Sequence, residues 1–383
     1  MARLARGRLA AERYAESIQV TTIAALCALV GGEDLFIVLG TYSLLRWQMY
    51  KQLVAATTIE GIRFDYFERI GGFDFKELLR FEKPHFLDLL GALQLPNTFE
   101  VSRWGYGVQR VPARLAFAVT LWRLAAPRTL IRDRIFWGMS ETLICEIFNL
   151  TIEVIFERWG HLVNDLQVDA ILPRIDSFCE AIAGRGSPLT RCWGFLDGTI
   201  RKIAPPWQNQ RIYDNGWKRV HLLKYQAVDS PDGITRQLWG PVLGRRHDVT
   251  LLGLSGLLET LMQSFNDAAG VPYYIYGDPA YQVSPWLMAP FKGLLSVAKV
   301  AFIRAMSRVR VAVEWGFGRV VALWPYVDYV KKRQVALSAC GLGRQYAVAG
   351  ILTNCPCCFN LNSTAKLFDL TPPSLQEYLS GEG

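Results

Sequence analysis

The sequence contains no apolar run long enough to cross a lipid bilayer. The most apolar early stretch, residues 18–30, is shorter than the roughly 20 apolar residues of a membrane-spanning helix, and Gly31-Gly32-Glu33-Asp34 ends it. The basic start of the chain is followed closely by acidic residues, and no cleavage pattern of a signal peptide is evident. We therefore expect an amphipathic helix near the start and no membrane partner.

Histidine is scarce and the cysteines are scattered, which argues against a zinc site. The chain has 4 histidines and 8 cysteines, and the densest cluster is Cys355-Pro356-Cys357-Cys358. A structural zinc site needs four ligands, usually in two separated pairs, and no second cysteine pair or histidine partner accompanies this cluster. We interpret the cysteines as reduced structural thiols of an intracellular protein.

Charged residues are few, at 20% of the chain, whereas apolar residues make up 51%, which is typical of a globular protein. Internal repeats and low-complexity tracts are absent. A length of 383 residues predicts two or three domains with a sizeable core. Because acidic residues are the minority, the net charge is +8, which is compatible with a polyanionic partner.

The first half of the chain carries helical patterns. Residues 1–95 predict a helical N-terminal region, since apolar side chains recur there at three- and four-residue spacing. Residues 96–184 predict a second helical domain, with helices at 114–124 and 130–136, a glycine-containing turn, and a third helix capped by Ser140. This order is that of a helix-turn-helix segment. The third helix carries glutamates and little base-reading chemistry, so a plain three-helix bundle remains the alternative.

The pattern changes to strands after the linker candidate Gly184-Arg185-Gly186-Ser187-Pro188. Residues 185–360 predict an α/β domain with a mixed sheet. Its expected elements are strands at 196–203, 222–229 and 234–242, a helix at 249–265, a strand leading to Asp278, and a helix at 298–323. Pro231-Asp232-Gly233 supplies the turn between the second and third strands. The polar tail, 361–383, is expected to pack loosely, and this loose packing begins near Pro356.

Three acidic residues in apolar or basic surroundings are candidate metal ligands. Asp197 and Asp278 each follow an apolar, strand-like run, and Glu314 lies in the long helical segment among apolar and basic residues. Carboxylates are suitable ligands for hard divalent cations, and two such cations can activate an attacking oxygen and stabilise a leaving one in phosphoryl transfer. Taken singly, each aspartate is equally a turn residue, and Glu314 is equally a solvent-facing residue or a partner of Arg310.

Five sequence blocks together resemble a known family. They are Asp197-Gly198-Thr199, residues 215–221, Gly240-Pro241-Val242 with residues 244–248, residues 276–281, and residues 307–317. In order and spacing, residues 192–354 resemble the nuclease domain of PIF/Harbinger-type transposases of the DDE endonuclease superfamily. One departure is Arg304, which stands where such proteins often carry Asn or a similar polar residue.

This resemblance implies an RNase H-like fold, preceded by an all-helical region with a helix-turn-helix-like segment. It implies that Asp197, Asp278 and Glu314 are the catalytic residues and bind two Mg²⁺ or Mn²⁺ ions, with Asp197 bridging them. The implied activity is that of a nuclear DNA endonuclease, in which water attacks a phosphodiester and the freed 3′-hydroxyl attacks target DNA. One alternative is a domesticated derivative that binds DNA or protein without cutting, and another is a related nuclease acting on RNA or hybrids.

Basic and aromatic residues follow the acids, and we expect some to contact DNA phosphates. The candidates are Arg201, Lys218, Arg219 and His221. His247 and Asp248 are candidates for orienting a metal ligand, although Asp248 is equally a helix cap. The family resemblance also suggests a separate Myb-like DNA-binding protein as partner, and it leaves homo-oligomerisation open.

Overall fold

The computed structural model describes residues 70–103, 107–207, 210–216, 218–335 and 341–381. The expected amphipathic helix near the start lies outside these residues. The described residues within 70–101 and 109–381 belong to one compact unit, and Ser102, Arg103, Gly107 and Val108 fall outside it. Among the described residues, no helix is both long and apolar enough to cross a membrane.

The chain enters the described region through two helices, Gly72–Leu79 (α1) and Lys83–Ala92 (α2). Pro84 lies in the first turn of α2, where its missing N–H costs no helical hydrogen bond. A hairpin of Thr98–Arg103 (β1) and Gly107–Pro112 (β2) follows. The expectation of an all-helical region before the sheet is therefore wrong at this hairpin.

Three helices occupy the predicted helix-turn-helix segment: Ala113–Ala125 (α3), Leu130–Trp137 (α4) and Glu141–Trp159 (α5). Gly138 ends α4 with a left-handed backbone (φ 63°), and the Ser140 hydroxyl accepts a hydrogen bond of 3.3 Å from the Leu143 amide to cap α5. The predicted succession of helices is confirmed, including its capping residue.

Helix α5 is poorly placed to read DNA bases. One face packs against α3 and another against the helix Leu342–Phe359, to which Glu153 is joined by an ion pair with Arg344. Most of its apolar side chains are buried, so few residues remain exposed. A recognition helix needs a free face for the major groove. This packing favours the plain helical bundle over base recognition by α5.

Short helices lead to the sheet domain. They are His161–Asn164 (α6), Val168–Ile171 (α7), the 3₁₀ turn Leu172–Arg174 and Ile175–Gly184 (α8). Helix α8 packs directly on the first strand of the sheet. The segment expected as a linker therefore forms a tight connection, in which Ser187 is buried.

A six-stranded mixed sheet forms the centre of the second half. Its strands are Cys192–Lys202 (β3), Asp214–Asn215 (β4), Val220–Asp229 (β5), Thr235–Leu243 (β6), Tyr274–Tyr276 (β7) and Leu287–Met288 (β8). The order is β6-β5-β3-β7-β8, and β4 pairs with the start of β5. The β6-β5-β3 pairs are antiparallel, whereas β7 and β8 run parallel to β3. The predicted mixed α/β fold is confirmed, and this strand order is consistent with a DDE nuclease.

Helices and short turns complete the domain. They are Gln210–Tyr213 (α9), Asp248–Leu254 (α10), Leu257–Ser264 (α11), Val297–Leu323 (α12), the 3₁₀ turns Pro325–Asp328 and Val330–Lys332, Leu342–Phe359 (α13), Ser363–Phe368 (α14) and Leu375–Ser380 (α15). The single helix predicted at 249–265 is wrong. The chain breaks there into α10 and α11 at Gly256, whose φ of 63° favours glycine.

The sheet is covered on both faces. On one face, Trp193, Leu196 and Ile275 pack with side chains of α8 and α11. On the other, Phe195 and Tyr276 pack against Met306 of α12 and its neighbours. The neighbouring residues Phe195 and Leu196 point to opposite faces, so β3 contributes to both cores, and a register shift between Cys192 and Gly194 places Trp193 on the same face as Leu196. Helix α12 thereby lies across the strands that carry the two aspartates.

The C-terminal segment is packed rather than loose. Leu375, Tyr378 and Leu379 of α15 are all buried, and the Tyr378 hydroxyl bonds the Asn354 side chain at 3.0 Å. The prediction of a loosely packed extension is therefore wrong, since its sparse apolar residues lie on one covered face. The clustered cysteines lie in the last turns of α13, where the thiol of Cys355 is close enough to donate to the Ile351 carbonyl four residues earlier.

Candidate active site

Asp197 and Asp278 are brought together by two parallel strands, since Asp197 lies within β3 and Asp278 follows the end of β7 by two residues. β3 and β7 pair at Phe195 and Tyr276, and each aspartate follows its paired residue by two positions. Residues two apart on a strand share a face. The sequence predicted an acid at the end of each strand, but β3 continues to Lys202, so Asp197 lies at its centre.

A single guanidinium group joins the two aspartates. The Arg310 Nη2 atom lies 2.8 Å from Asp197 Oδ1 and 3.9 Å from Asp278 Oδ2. Arg310 lies in α12, and Val309, the residue before it, is buried against the sheet. The sequence suggested Arg310 only as a partner of Glu314. Residue spacing predicts contacts within one helix, but it does not predict contacts between elements that are distant in sequence.

Glu314 lies in the same helix, one turn after Arg310. Its backbone is therefore in the element that crosses beside the two aspartates. Its side chain lies outside the described part of the chain, and its predicted role as third ligand stays a prediction. Among the described side chains, no group of three acidic, histidine or cysteine residues is placed to hold a metal ion.

Burial and charge act in opposite directions on Asp197. Its side chain is only 16% exposed, and desolvation raises the pKa of its carboxyl, while the Arg310 charge and the Gly198 amide lower it and the Asp278 charge raises it. Asp278 is 41% exposed and its Oδ1 accepts a hydrogen bond of 2.7 Å from the Ala280 amide. Asp278 thus begins a turn, as its alternative interpretation predicted, and still faces Arg310.

A buried carboxyl group that was not among the predicted site residues, Asp229, lies at the end of β5. It is 4% exposed, Thr235 donates a hydrogen bond of 2.5 Å to its Oδ1, and Oδ2 has no hydrogen-bond partner in the described part of the chain. Burial raises its pKa to about 6. A Cβ on Gly316 would lie 2.8 Å from Oδ2, so α12 approaches this carboxyl closely. In the sequence, only the position of Asp229 directly after the largely apolar run 222–228 could have indicated a buried acid.

The structure separates the predicted DNA-contacting residues. Arg201 is 8% exposed, and its guanidinium donates to the Tyr346 hydroxyl at 2.7 and 3.0 Å. This packing argues against the predicted DNA contact by Arg201. Lys218 and Arg219 are exposed in the turn between β4 and β5, and His221 is half-buried in β5 opposite Asp214. For these three residues DNA contact stays a prediction.

A cavity of about 690 Å³ adjoins the aspartates. It is lined by Gly198, Thr199, Ile200, Asp214, Asn215, Gly216, Lys218, Lys224, Arg245, Arg246, His247, Asp278, Ala280 and Tyr281. His247 therefore faces the same space as Asp278, as a residue that orients a ligand would. His247 also occupies the residue position before α10, where its side chain makes no capping hydrogen bond, and Asp248 is the first residue of that helix. The Asp248 side chain lies outside the described part of the chain, so both interpretations of its role stay predictions.

The described residues suit a hard divalent cation. The Asp197 and Asp278 carboxylates converge on Arg310, and carboxylate oxygens are the ligands that hard divalent cations prefer. The Arg310 guanidinium already neutralises part of their charge, so a cation would compete with it for the Asp197 carboxylate. One aspartate is partly desolvated, which makes cation binding favourable relative to an unpaired charge. Asp197 and Asp278 would hold such an ion.

Comparisons with known proteins agree with this geometry. Residues 196–354 match the family described as DDE superfamily endonuclease. These residues are a DDE superfamily endonuclease domain. The resemblance predicted from the five sequence blocks is confirmed. Domains of this family generally use divalent metals, in keeping with the carboxylate pair.

A relative from Arabidopsis thaliana, named Protein ALP1-like, is 23% identical over 225 residues. The match covers 56% of this chain and 53% of that protein, so the chain spans about half the length of the relative. No solved structure matches the chain.

Proposed function

We propose that the protein is a metal-dependent DNA endonuclease of transposase origin. The observation that carries this proposal is the convergence of Asp197 and Asp278 on Arg310 within a DDE endonuclease domain. Mg²⁺ or Mn²⁺ bound at these acids would supply activation of the attacking oxygen and stabilisation of the leaving oxygen. Strand transfer to target DNA would extend the same chemistry.

Each residue has a distinct part in this proposal. The Asp197 carboxylate, fixed in the middle of β3, would hold the cations together with Asp278 and Glu314, and the cations would supply the activation of the attacking oxygen. Arg310 balances the negative charge of the aspartates before cations arrive. His247, which lines the adjoining cavity, orients groups near Asp278. The partly buried setting of Asp197 strengthens every one of these electrostatic interactions.

The test is nicking of supercoiled plasmid DNA with Mg²⁺ or Mn²⁺, comparing the wild type with Glu314→Gln and Asp197→Asn. Both substitutions keep side-chain size and remove a carboxylate, so nicking should fall to background in each. Lys366→Ala, an exposed lysine of α14, is the matched control and should nick like the wild type. Equal nicking by all four proteins would contradict the assignment of these acids.

A second candidate is a derivative that binds DNA or protein without cutting. The observation that favours it is the ion pair of Arg310 with Asp197, since an acid neutralised by arginine can serve structure alone. This candidate expects DNA binding without nicking by the wild type. On this candidate, Mn²⁺ should also leave the midpoint temperature of thermal unfolding unchanged, because no cation would bind the folded state preferentially.

We further propose a nuclear location, DNA as the principal partner and assistance from a separate Myb-like DNA-binding protein. The close packing of α5 supports this last point, because the chain's own helix-turn-helix-like segment offers little free surface for base recognition. Co-purification of such a partner from nuclear extract tests it, with a chain lacking residues 113–159 as the comparison.

A further inference from the structure

The cavity beside the aspartates is rich in positive charge. Four cationic side chains line it, namely Lys218, Lys224, Arg245 and Arg246, against the two carboxylates of Asp214 and Asp278 among the described residues. Lys218, Arg245 and Arg246 are exposed and form no ion pair with any described carboxylate. A cationic lining of this kind suits phosphate groups.

Two loops that carry these cations are tied together by one side chain. The Asn215 side-chain Nδ2 donates to the Gly244 backbone carbonyl at 3.0 Å. The Asn215 Oδ1 accepts a hydrogen bond from the Lys218 backbone N–H, also at 3.0 Å. A Cβ on Gly244 would lie 2.4 Å from the Tyr213 carbonyl oxygen, so only glycine permits this close approach. The backbone that carries these cations is therefore held in place before a ligand arrives, which lowers the entropic cost of ordering the loops on binding.

The cavity also reaches the residues that would do the chemistry. Gly198 and Thr199 directly follow Asp197 in β3, and Asp278 itself lines the space. The volume of about 690 Å³ falls within the range of roughly 300–1,000 Å³ typical of ligand sites. A space of this volume is large enough for a short stretch of one nucleic-acid strand.

We infer that Lys218, Arg245 and Arg246 form a phosphate-binding subsite for one DNA strand next to the bond that is cut. This inference rests on the proposed endonuclease function, and it identifies where the substrate strand would bind beside the aspartates. Arg201, Arg219 and His221 do not line the cavity, so the subsite replaces most of the contacts expected from sequence. The arginines bind backbone phosphates and read no base.

The test is binding of a short fluorescein-labelled single-stranded oligothymidylate, measured by anisotropy over a range of salt concentrations in EDTA. Each lost phosphate contact lowers the slope of log affinity against log salt by about 0.7, so R245A/R246A should lower it by about 1.4. R245K/R246K should keep the slope, since lysine retains the charge. K76A/K366A removes two exposed charges from residues outside the cavity and should leave the slope unchanged.

An R245A/R246A slope equal to that of the wild type, or an equal loss in K76A/K366A, would overturn the subsite. Because EDTA prevents cleavage, this result is independent of nicking. If R245A/R246A lowers the salt slope but the wild type does not nick plasmid DNA, the endonuclease proposal is wrong and the phosphate subsite stands. If the wild type nicks DNA and R245A/R246A leaves the salt slope unchanged, the phosphate subsite is wrong and the endonuclease proposal stands.

Discussion

Single carboxyl groups in this protein owe their properties to the elements packed around them. Asp197 and Asp229 both belong to the sheet, yet Asp197 has a guanidinium partner while Asp229 has one hydroxyl donor and a glycine of α12 beside it. Desolvation favours the neutral acid at Asp229 and outweighs the Thr235 hydrogen bond and the Arg319 charge, which both lower its pKa. Asp229 is therefore a residue at which pH acts directly on folding.

Asp229 should make stability fall as pH rises through the mildly acidic range. Its pKa of about 6 in the folded protein lies above the ordinary value of 3.8, so the folded state holds a proton that the unfolded chain releases. The stabilisation is fully present below pH of about 4 and is lost as pH rises past about 6. The difference between the two limits is at most about 3 kcal/mol.

Asp229→Asn should remove this pH dependence and keep an acceptor for Thr235. Urea unfolding between about pH 4 and pH 7.5 measures the free energy of unfolding of both proteins, and their difference should change across that interval. Asp74→Asn, at an exposed aspartate of α1, is the control. A parallel pH profile in wild type and Asp229→Asn would show that Asp229 does not titrate in this range.

At the scale of an element, helix α12 combines packing and chemistry. Its residues Met306 and Val309 are buried on the sheet, Arg310 contacts the aspartates, and Gly316 lies against Asp229. Two glycines two residues apart in the same helix meet different surroundings. A Cβ on Gly316 meets the Asp229 carboxyl, whereas one on Gly318 meets nothing within 4 Å.

Gly316→Ala should destabilise the protein by about 1–3 kcal/mol, because the added methyl group overpacks a buried contact. Gly318→Ala should be neutral or stabilise by up to about 1 kcal/mol, because alanine favours the helix. Urea unfolding midpoints compare the two variants with the wild type. Equal midpoints for the two variants would show that α12 is free to move away from β5.

At the scale of the whole molecule, the C-terminal helices complete the core of the sheet domain. The Asn354 side chain of α13 bonds the backbone of Thr235 in β6 at 2.9 and 3.1 Å, and its NH2 group also donates to the Tyr378 hydroxyl of α15 at 3.0 Å. Phe368 of α14 joins the cluster that packs α12 on the sheet. The last helices therefore support, at a distance, the strands that hold the aspartates.

Deletion of residues 371–383 should lower the free energy of unfolding by about 3 kcal/mol or more, because three apolar side chains leave the core. Tyr378→Phe loses one buried hydrogen bond and should cost about 1–2 kcal/mol. Deletion of residues 382–383 alone is the control. An unchanged unfolding curve for the longer deletion would mean that α15 adds nothing to the core.

Local sequence signals predicted several elements closely. Ser140 and Gly138 set the boundaries of two helices through capping and a left-handed backbone, and Pro231-Asp232-Gly233 marked the turn between β5 and β6. These features depend on a few neighbouring residues. The family motifs likewise depend only on the linear order of the chain, so the sequence alone carries the resemblance to the DDE domain.

Contacts between distant segments were decided by the tertiary structure alone. The register that places Asp278 beside Asp197, the arrival of Arg310 between them and the burial of Asp229 all join residues far apart in sequence. The same holds for Arg201, whose charge suggested a surface role until Tyr346 was seen to cover it. A residue's sequence neighbours set its backbone conformation, whereas its burial, and hence its charge and partners, depends on which elements fold onto it.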